Sequence, residues 1–124
     1  MARFTGLAAV LLAPNVQEAL DYYRDVLGFA VEAYEPVPED YGYATRDGVT
    51  IHIAHADHCR PNSDLVADLF DVYLWVDDVE ALHEELAGRG ANIVHAPLER
   101  PWSMREIRVR DLNGYILGIG QPLE

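Results

Sequence analysis

Three imidazoles and a thiol fall within eight residues, in His52-x-x-His55-x-x-His58-Cys59, the densest run of metal-ligating side chains in the sequence. Zinc accepts ligands of this kind at short spacing. Along a strand, however, side chains alternate between faces, so His52 and His55 converge only if the strand has ended by Ala54. The expectation is a strand end running into a polar loop. His83 and His95 have no nameable partner, and Cys59 lacks a C-x-x-C companion that would argue for a reactive thiol. A second set is aromatic and charged. Tyr73 and Trp75 alternate with Val72, Leu74 and Val76, while Glu106 and Arg108 alternate with Ile107 and Val109. Such alternation sends the two subsets to opposite faces of a strand. Rings on an open face supply stacking surface, and the charged pair either satisfies itself or hydrogen-bonds a ligand. No Ser-His-Asp set, Gly-x-Ser-x-Gly elbow or glycine-rich phosphate loop accompanies them. Asp77-Asp78 and Glu84-Glu85 read as a helix start and a solvated helix face.

Composition narrows the field further. The chain has 124 residues, enough for one small domain, with 50% hydrophobic and 24% charged residues. All nine basic residues are Arg, which excludes Schiff-base and P-loop chemistry, since both need a lysine amine. A net charge of −12 argues against nucleic acid or an anionic membrane as partner and would welcome a cationic ligand. A single Cys rules out an internal disulfide framework. No apolar run is long enough for a membrane-spanning helix, and Leu7 to Ala13 lacks the charged flank of a signal peptide. A soluble, cytoplasmic, single-domain protein is expected.

The elements that must position these residues come in two copies. Asn15 opens an amphipathic stretch with Val16, Ala19, Leu20, Tyr23 and Leu27 at helical spacing, closed by Gly28. Asp77 opens a second, with Leu82 and Leu86 apolar and Gly90 closing. Glu18-Ala19-Leu20 and Glu80-Ala81-Leu82 lie 62 residues apart, as do Gly28 and Gly90, and Asn15 and Asp77 each precede a Glu by three. Strand patterns at Leu7 to Leu12 and Asp71 to Val76 precede the helices. Strands at Phe29 to Tyr34, Tyr41 to Thr45 and Val49 to Ala54 come after the first helix; Asn92 to His95, Arg105 to Val109 and Tyr115 to Ile119 come after the second. Asp47-Gly48 and Asn113-Gly114 supply hairpin turns at matching places. The fold class is therefore α+β, with tandem β-α-β-β-β modules at about 1–58 and 68–124 joined by a linker near 55–67 in one domain, 1–124. Val49, Ile51, Ile53, Val72, Leu74 and Val76 should pack under the helices. Tyr73 and Trp75 are left on an uncovered face, to line a pocket, a subunit interface or a second core.

This plan, the stretch Ala19-Leu20-Asp21-Tyr22-Tyr23-Arg24-Asp25-Val26-Leu27-Gly28-Phe29 and the ending Arg110-Asp111-Leu112-Asn113-Gly114-Tyr115 resemble the vicinal oxygen chelate superfamily. That group includes glyoxalases, extradiol dioxygenases, fosfomycin resistance enzymes and bleomycin resistance proteins. Chain length, and Pro101-Trp102 followed by Arg105-Glu106 and Arg110-Asp111, are most similar to the bleomycin resistance branch. The resemblance implies one curved mixed sheet (the glyoxalase/bleomycin resistance fold) in a homodimer with crevices between subunits. In metal-dependent members one ligand comes from each of four strands, and the matching positions here are Ala8, His52, Asp71 and Gly118. Ala8 and Gly118 carry nothing that can coordinate, and His52 and Asp71 alone fall short of a stable divalent site.

A metal-independent binding protein with no cofactor and no catalytic residue is therefore expected. It would sequester a bleomycin-type or other aromatic antibiotic and so confer resistance. Tyr73, Trp75 and Trp102 would supply the stacking surfaces, with Tyr43, Met104 and Tyr115 as lesser contributors and His52 nearby. Asp71 and Glu106 would favour cationic groups, and Arg108 would hold a polar one. The alternative is a divergent metal-dependent lyase, dioxygenase or epimerase that rebuilds its site from His52, Asp71 and either Glu106 or a linker histidine. A purely structural or regulatory dimer would instead fill the Trp75 face with side chains.

Overall fold

Two capped helices organise the two halves. In the computed structural model, which describes residues 1–124, β1 (Ala9–Ala13) leads into α1 (Val16–Asp25), followed by β2 (Ala30–Ala33), β3 (Tyr41–Arg46) and β4 (Val49–His55). The second half repeats the order with β5 (Val72–Trp75), α2 (Val79–Gly88), β6 (Asn92–Arg100), β7 (Met104–Arg110) and β8 (Ile116–Pro122). A single 3-10 turn at Asn62–Asp64 lies in the linker. The strands form two four-stranded sheets of identical topology, β1-β4-β3-β2 (sheet one) and β5-β8-β7-β6 (sheet two). In each, the first and last strands run parallel and the other pairs antiparallel. The molecule is a duplicated α+β domain.

Asn15 Oδ1 accepts the Glu18 amide at 3.0 Å, and Asp78 Oδ1 accepts the Ala81 amide at 3.1 Å. The second cap is therefore Asp78, one residue later than the expected Asp77. The helices correspond at an offset of 63, not 62, and Glu18 matches Ala81 rather than Glu80. Gly28 (φ 78°) and Gly90 (φ 85°), both left-handed, keep the 62-residue spacing because the exit from α2 is one residue shorter. Sequence identity followed the glycines, whereas the caps follow the strand-to-helix connections. Most strand limits also shift, by one to five residues, and two of the shifts are instructive. Leu7 and Ala8 fall outside β1 because its ladder with β4 begins at Ala9 opposite Ile51. Strand β6 runs past His95 and through Pro97, since it is an edge strand with register shifts where a missing amide is tolerated.

Both helices pack on the aliphatic faces of their sheets, and the two modules share one core of 18 buried residues. Val16, Ala19, Leu20 and Tyr23 cover sheet one; Val79 and Leu86 cover sheet two over Ile107, Val109, Leu117 and Ile119. Each fully buried aliphatic side chain contributes about 1.5–3 kcal/mol. Polar bonds then lock module to module. Tyr23 donates its hydroxyl to Asp111 Oδ2 at 2.8 Å, and Tyr22 donates to the Arg110 carbonyl at 3.3 Å. Arg46 forks onto Glu85, with Nη1 to Oε2 at 2.9 Å and Nη2 to Oε1 at 2.7 Å. At the 63-residue offset Tyr22 and Glu85 are counterparts, and Arg110 and Arg46 are the last residues of β7 and β3. The modules thus meet about an approximate two-fold axis, through the same positions with different chemistry.

Candidate ligand-binding face

Sheet two carries the aromatic and charged side chains on the face turned away from α2. Tyr73 and Trp75 lie edge to face at 5.3 Å between centroids, and Phe70 packs on Tyr73 at 5.0 Å. The Tyr73 ring spreads over β8 because positions 118 and 120 are glycines. A Cβ on Gly118 would stand 2.9 Å from a Tyr73 ring carbon, and one on Gly120 would run into the Tyr73 hydroxyl and 2.7 Å from Met104 Cε. Lying there, Tyr73 donates its hydroxyl to Glu106 Oε1 at 2.9 Å.

Glu106 is wholly buried and is the hub of the face. Its Oε2 accepts Arg108 Nε at 2.9 Å and Arg100 Nε at 3.1 Å, and His95 Nε2 stands 2.8 Å from an Arg100 nitrogen. Burial acts to raise the Glu106 pKa. The Tyr73 hydroxyl and the Arg108 and Arg100 guanidiniums outweigh it and hold the carboxyl below its usual range. Burial, reinforced by the bond to Glu106, raises the Tyr73 phenol. Arg108 also donates to the Asp68 carbonyl and lies 5.3 Å over the Phe70 ring; Arg100 lies 5.4 Å over Trp102. Two guanidiniums against one carboxylate leave this face locally cationic. Glu106 is therefore not free to take a cationic group, which corrects the role expected of it. Met104 is buried in the floor, and Trp75 and Trp102 remain 69% and 50% exposed.

Sheet one presents a second open face. His52 Nδ1 meets the Tyr41 hydroxyl at 2.9 Å, and Tyr41, Tyr43 and His52 pack edge to face at 5.0–5.7 Å. Val10 lies beside His52 in register and is 54% exposed; Leu12, beside Ala54, is also exposed. No hydrogen bond, ion pair or ring contact joins this set to the tryptophans of sheet two within the chain. Two further expectations are corrected. Asp71 clamps backbone, accepting the Asn62 amide on Oδ1 and the Ile116 amide on Oδ2, both at 2.8 Å, so it offers no free carboxylate. Tyr115 precedes β8, faces the core and accepts the Leu12 amide at 3.2 Å, so it stacks on nothing outside. Phe70, Arg100, His95 and Tyr41 are the members that sequence reading missed. Of these, only Tyr41 left a signal in the sequence, its two-residue step from Tyr43; Arg100 joins the face through its pairing with Met104, which only the structure shows.

The family model described as "Glyoxalase/Bleomycin resistance protein/Dioxygenase superfamily" matches residues 7–119. The chain belongs to this superfamily. Among solved structures, it is similar to a bleomycin-binding protein from bleomycin-producing Streptomyces verticillus complexed with copper(II)-bleomycin. Identity is 28% and the TM-score 0.72, over 100% of this chain and 99% of that one. It is also similar to TnmS3, an antibiotic binding protein from Streptomyces sp. CB03234, at 25% identity and TM-score 0.74 over 98% of each chain. TioX from Micromonospora sp. ML1 shares the fold at 21% identity and TM-score 0.75, over 97% of this chain and 100% of that one. No protein of curated function matches the chain by sequence.

For this superfamily member the metal-ligand positions do not fit a divalent ion. Ala8 precedes β1, His52 is engaged by Tyr41, both Asp71 oxygens hold amides, and the Tyr73 ring covers Gly118. The linker histidines do not replace them: His55 pairs with Asp57 at 3.5 Å, and Cys59 Sγ points to the Asn113 carbonyl at 3.8 Å. Burial raises the Cys59 thiol above its ordinary pKa, against a thiolate. No group of three or more His, Cys, Asp or Glu is set to hold a metal. No helix of this superfamily member is long and apolar enough to cross a membrane.

Proposed function

We propose that this protein is a metal-independent binder of aromatic small molecules that sequesters a bleomycin-type or other aromatic antibiotic on the Trp75–Trp102 face. One observation carries the reading: two largely exposed tryptophans stand on a floor fixed from beneath by Tyr73, Glu106 and Arg108. Exposed rings on a rigid base give stacking area with little ordering cost on binding. The similarity to a bleomycin-binding protein and to TnmS3 supports the ligand class. Charge acts at two ranges. The net −12 draws cationic ligands from a distance, while Arg100, about a quarter exposed at 24%, selects acceptor groups at contact and Arg108 holds the floor. In a homodimer, the Tyr43–His52 face of one copy closes over the tryptophan face of the other, which brings together the two sets that one chain keeps apart. An isologous pairing needs only one self-complementary arrangement. The work is trapping, in the cytoplasm, at one drug per chain.

Titrating metal-free and copper-loaded bleomycin, and a panel of polycyclic aromatic antibiotics, against tryptophan fluorescence tests this. The expected outcome is saturable quenching at one ligand per chain. Trp75→Ala and Trp102→Ala should each weaken binding about tenfold, equivalent to about 1.4 kcal/mol, with little change in Tm. Absence of quenching across the panel, or a Trp75→Ala protein that loses stability and not affinity, overturns the reading.

A further inference from the structure

The approximate two-fold axis relates modules that are not equally filled. Helix α1 buries Val16, Ala19, Leu20 and Tyr23. Their counterparts in α2, at the 63-residue offset, are Val79, Leu82, His83 and Leu86, of which only the first and last are buried. Where module one is sealed, module two holds a cavity of about 300 Å³ between α2, the helix side of sheet two and the β3–β4 hairpin of module one. Its depth is apolar, formed by Phe29, Leu74, Leu86, Val109, Leu117 and Ile119. Its charged groups are at the rim, where the Arg46–Glu85 fork bridges hairpin and helix.

We propose that this cavity is a second small-molecule site, on the helix side of sheet two and meeting the tryptophan face only at Trp75, which also lines it. Its ligand is an apolar chain or ring carrying a cationic group. The volume is at the small end of ligand pockets, and walls that are apolar inside and polar only at the mouth are what such pockets share. Charge sets the sign of the ligand. The rim has four carboxylates, Asp47, Asp77, Asp78 and Glu85, against Arg46 alone. Glu85 is taken by Arg46 and Asp78 caps α2, but Asp77 has no partner and Asp47 touches only Arg46, at 3.8 Å. An ammonium placed at the mouth meets two available carboxylates. An anion meets the same two as repulsion, and the single guanidinium is already bound.

The neutral fluorophore N-phenyl-1-naphthylamine reports occupancy, and octyltrimethylammonium and octyl sulfate, both below micellar concentration, compete for it. The expected result is one fluorophore per chain, displaced by the ammonium at a concentration at least tenfold lower than by the sulfate. Ala81→Phe, at an exposed position that lines the cavity from α2, should weaken the fluorophore at least tenfold and leave antibiotic quenching of Trp102 intact. The Asp47→Asn/Asp77→Asn double variant should abolish the preference for the ammonium while keeping fluorophore affinity. That variant alters two exposed side chains and decides the matter even if Ala81→Phe does not fold. Failure to bind the fluorophore, equal competition by the two amphiphiles, or fluorophore lost in Trp102→Ala but kept in folded Ala81→Phe would each overturn the proposal. Antibiotic quenching, read separately, decides the function proposed above.

Discussion

Glu106 shows how one buried carboxylate can organise a face without meeting a ligand. Two guanidiniums and a phenol converge on it, so removing its charge strands Arg100 and Arg108 against a neutral amide. Glu106→Gln should cost about 3–5 kcal/mol at neutral pH, read by urea unfolding, because breaking a buried pair leaves uncompensated charge. The sign of the pH effect comes from the lowered folded-state pKa. The contribution is present above the ordinary glutamate value of 4.5 and lost as pH falls through the lower folded value. The gap in stability between wild type and Glu106→Gln should therefore be constant above about pH 5 and close below about pH 4.5, the ordinary titration range of glutamate. A gap still undiminished at pH 3 would count against the assignment. At this scale the alternation of β5 and β7 made Tyr73, Trp75, Glu106 and Arg108 legible, since a pleat has only two faces. Asp71 was not legible. Its role depends on amides from Asn62 in the linker and Ile116, 45 residues away, and no periodicity reports those.

At the scale of the element, the caps carry the most specific lesson. Asp78→Ala should lower stability by about 1 kcal/mol and Asp77→Ala by a few tenths at most, because of the two aspartates only Asp78 accepts an orphan amide of α2. Thermal melts of the two variants separate the 63-residue correspondence from the 62-residue one, and equal losses would refute it. The repeat itself was readable because helix periodicity, hairpin dipeptides and left-handed glycines recur in both halves. The one-residue difference in cap position was not, because Asp77 and Asp78 are chemically identical candidates for one cap. The same limit hid Arg100 at the end of β6. That strand continues through Pro97, a residue that normally argues for a break and is tolerated here only because the strand is at an edge.

Across the whole molecule, both sheets turn an unfilled face outward, and apolar side chains cluster there: Val10 and Leu12 on sheet one, Trp75 and Trp102 on sheet two. On the pairing proposed above, the wild type should sediment as a dimer, and Val10→Glu should sediment as a monomer and weaken antibiotic binding in parallel, although residue 10 is on the sheet without the tryptophans. A variant that remains dimeric and binds normally would exclude that pairing. The cavity was not written in the sequence, because it arises where two modules meet and periodicity describes one module at a time. The ring lodged over Gly118 and Gly120 limits what substitution can do there. Installing a glutamate at position 118 alone would drive its Cβ into Tyr73. Shrinking Tyr73 first would take a hydrogen bond from the buried Glu106 before any coordinating group was in place. Either step taken singly is a loss, so the ring and the two glycines hold each other in place, and no single substitution at position 73 or 118 brings a coordinating group there without cost.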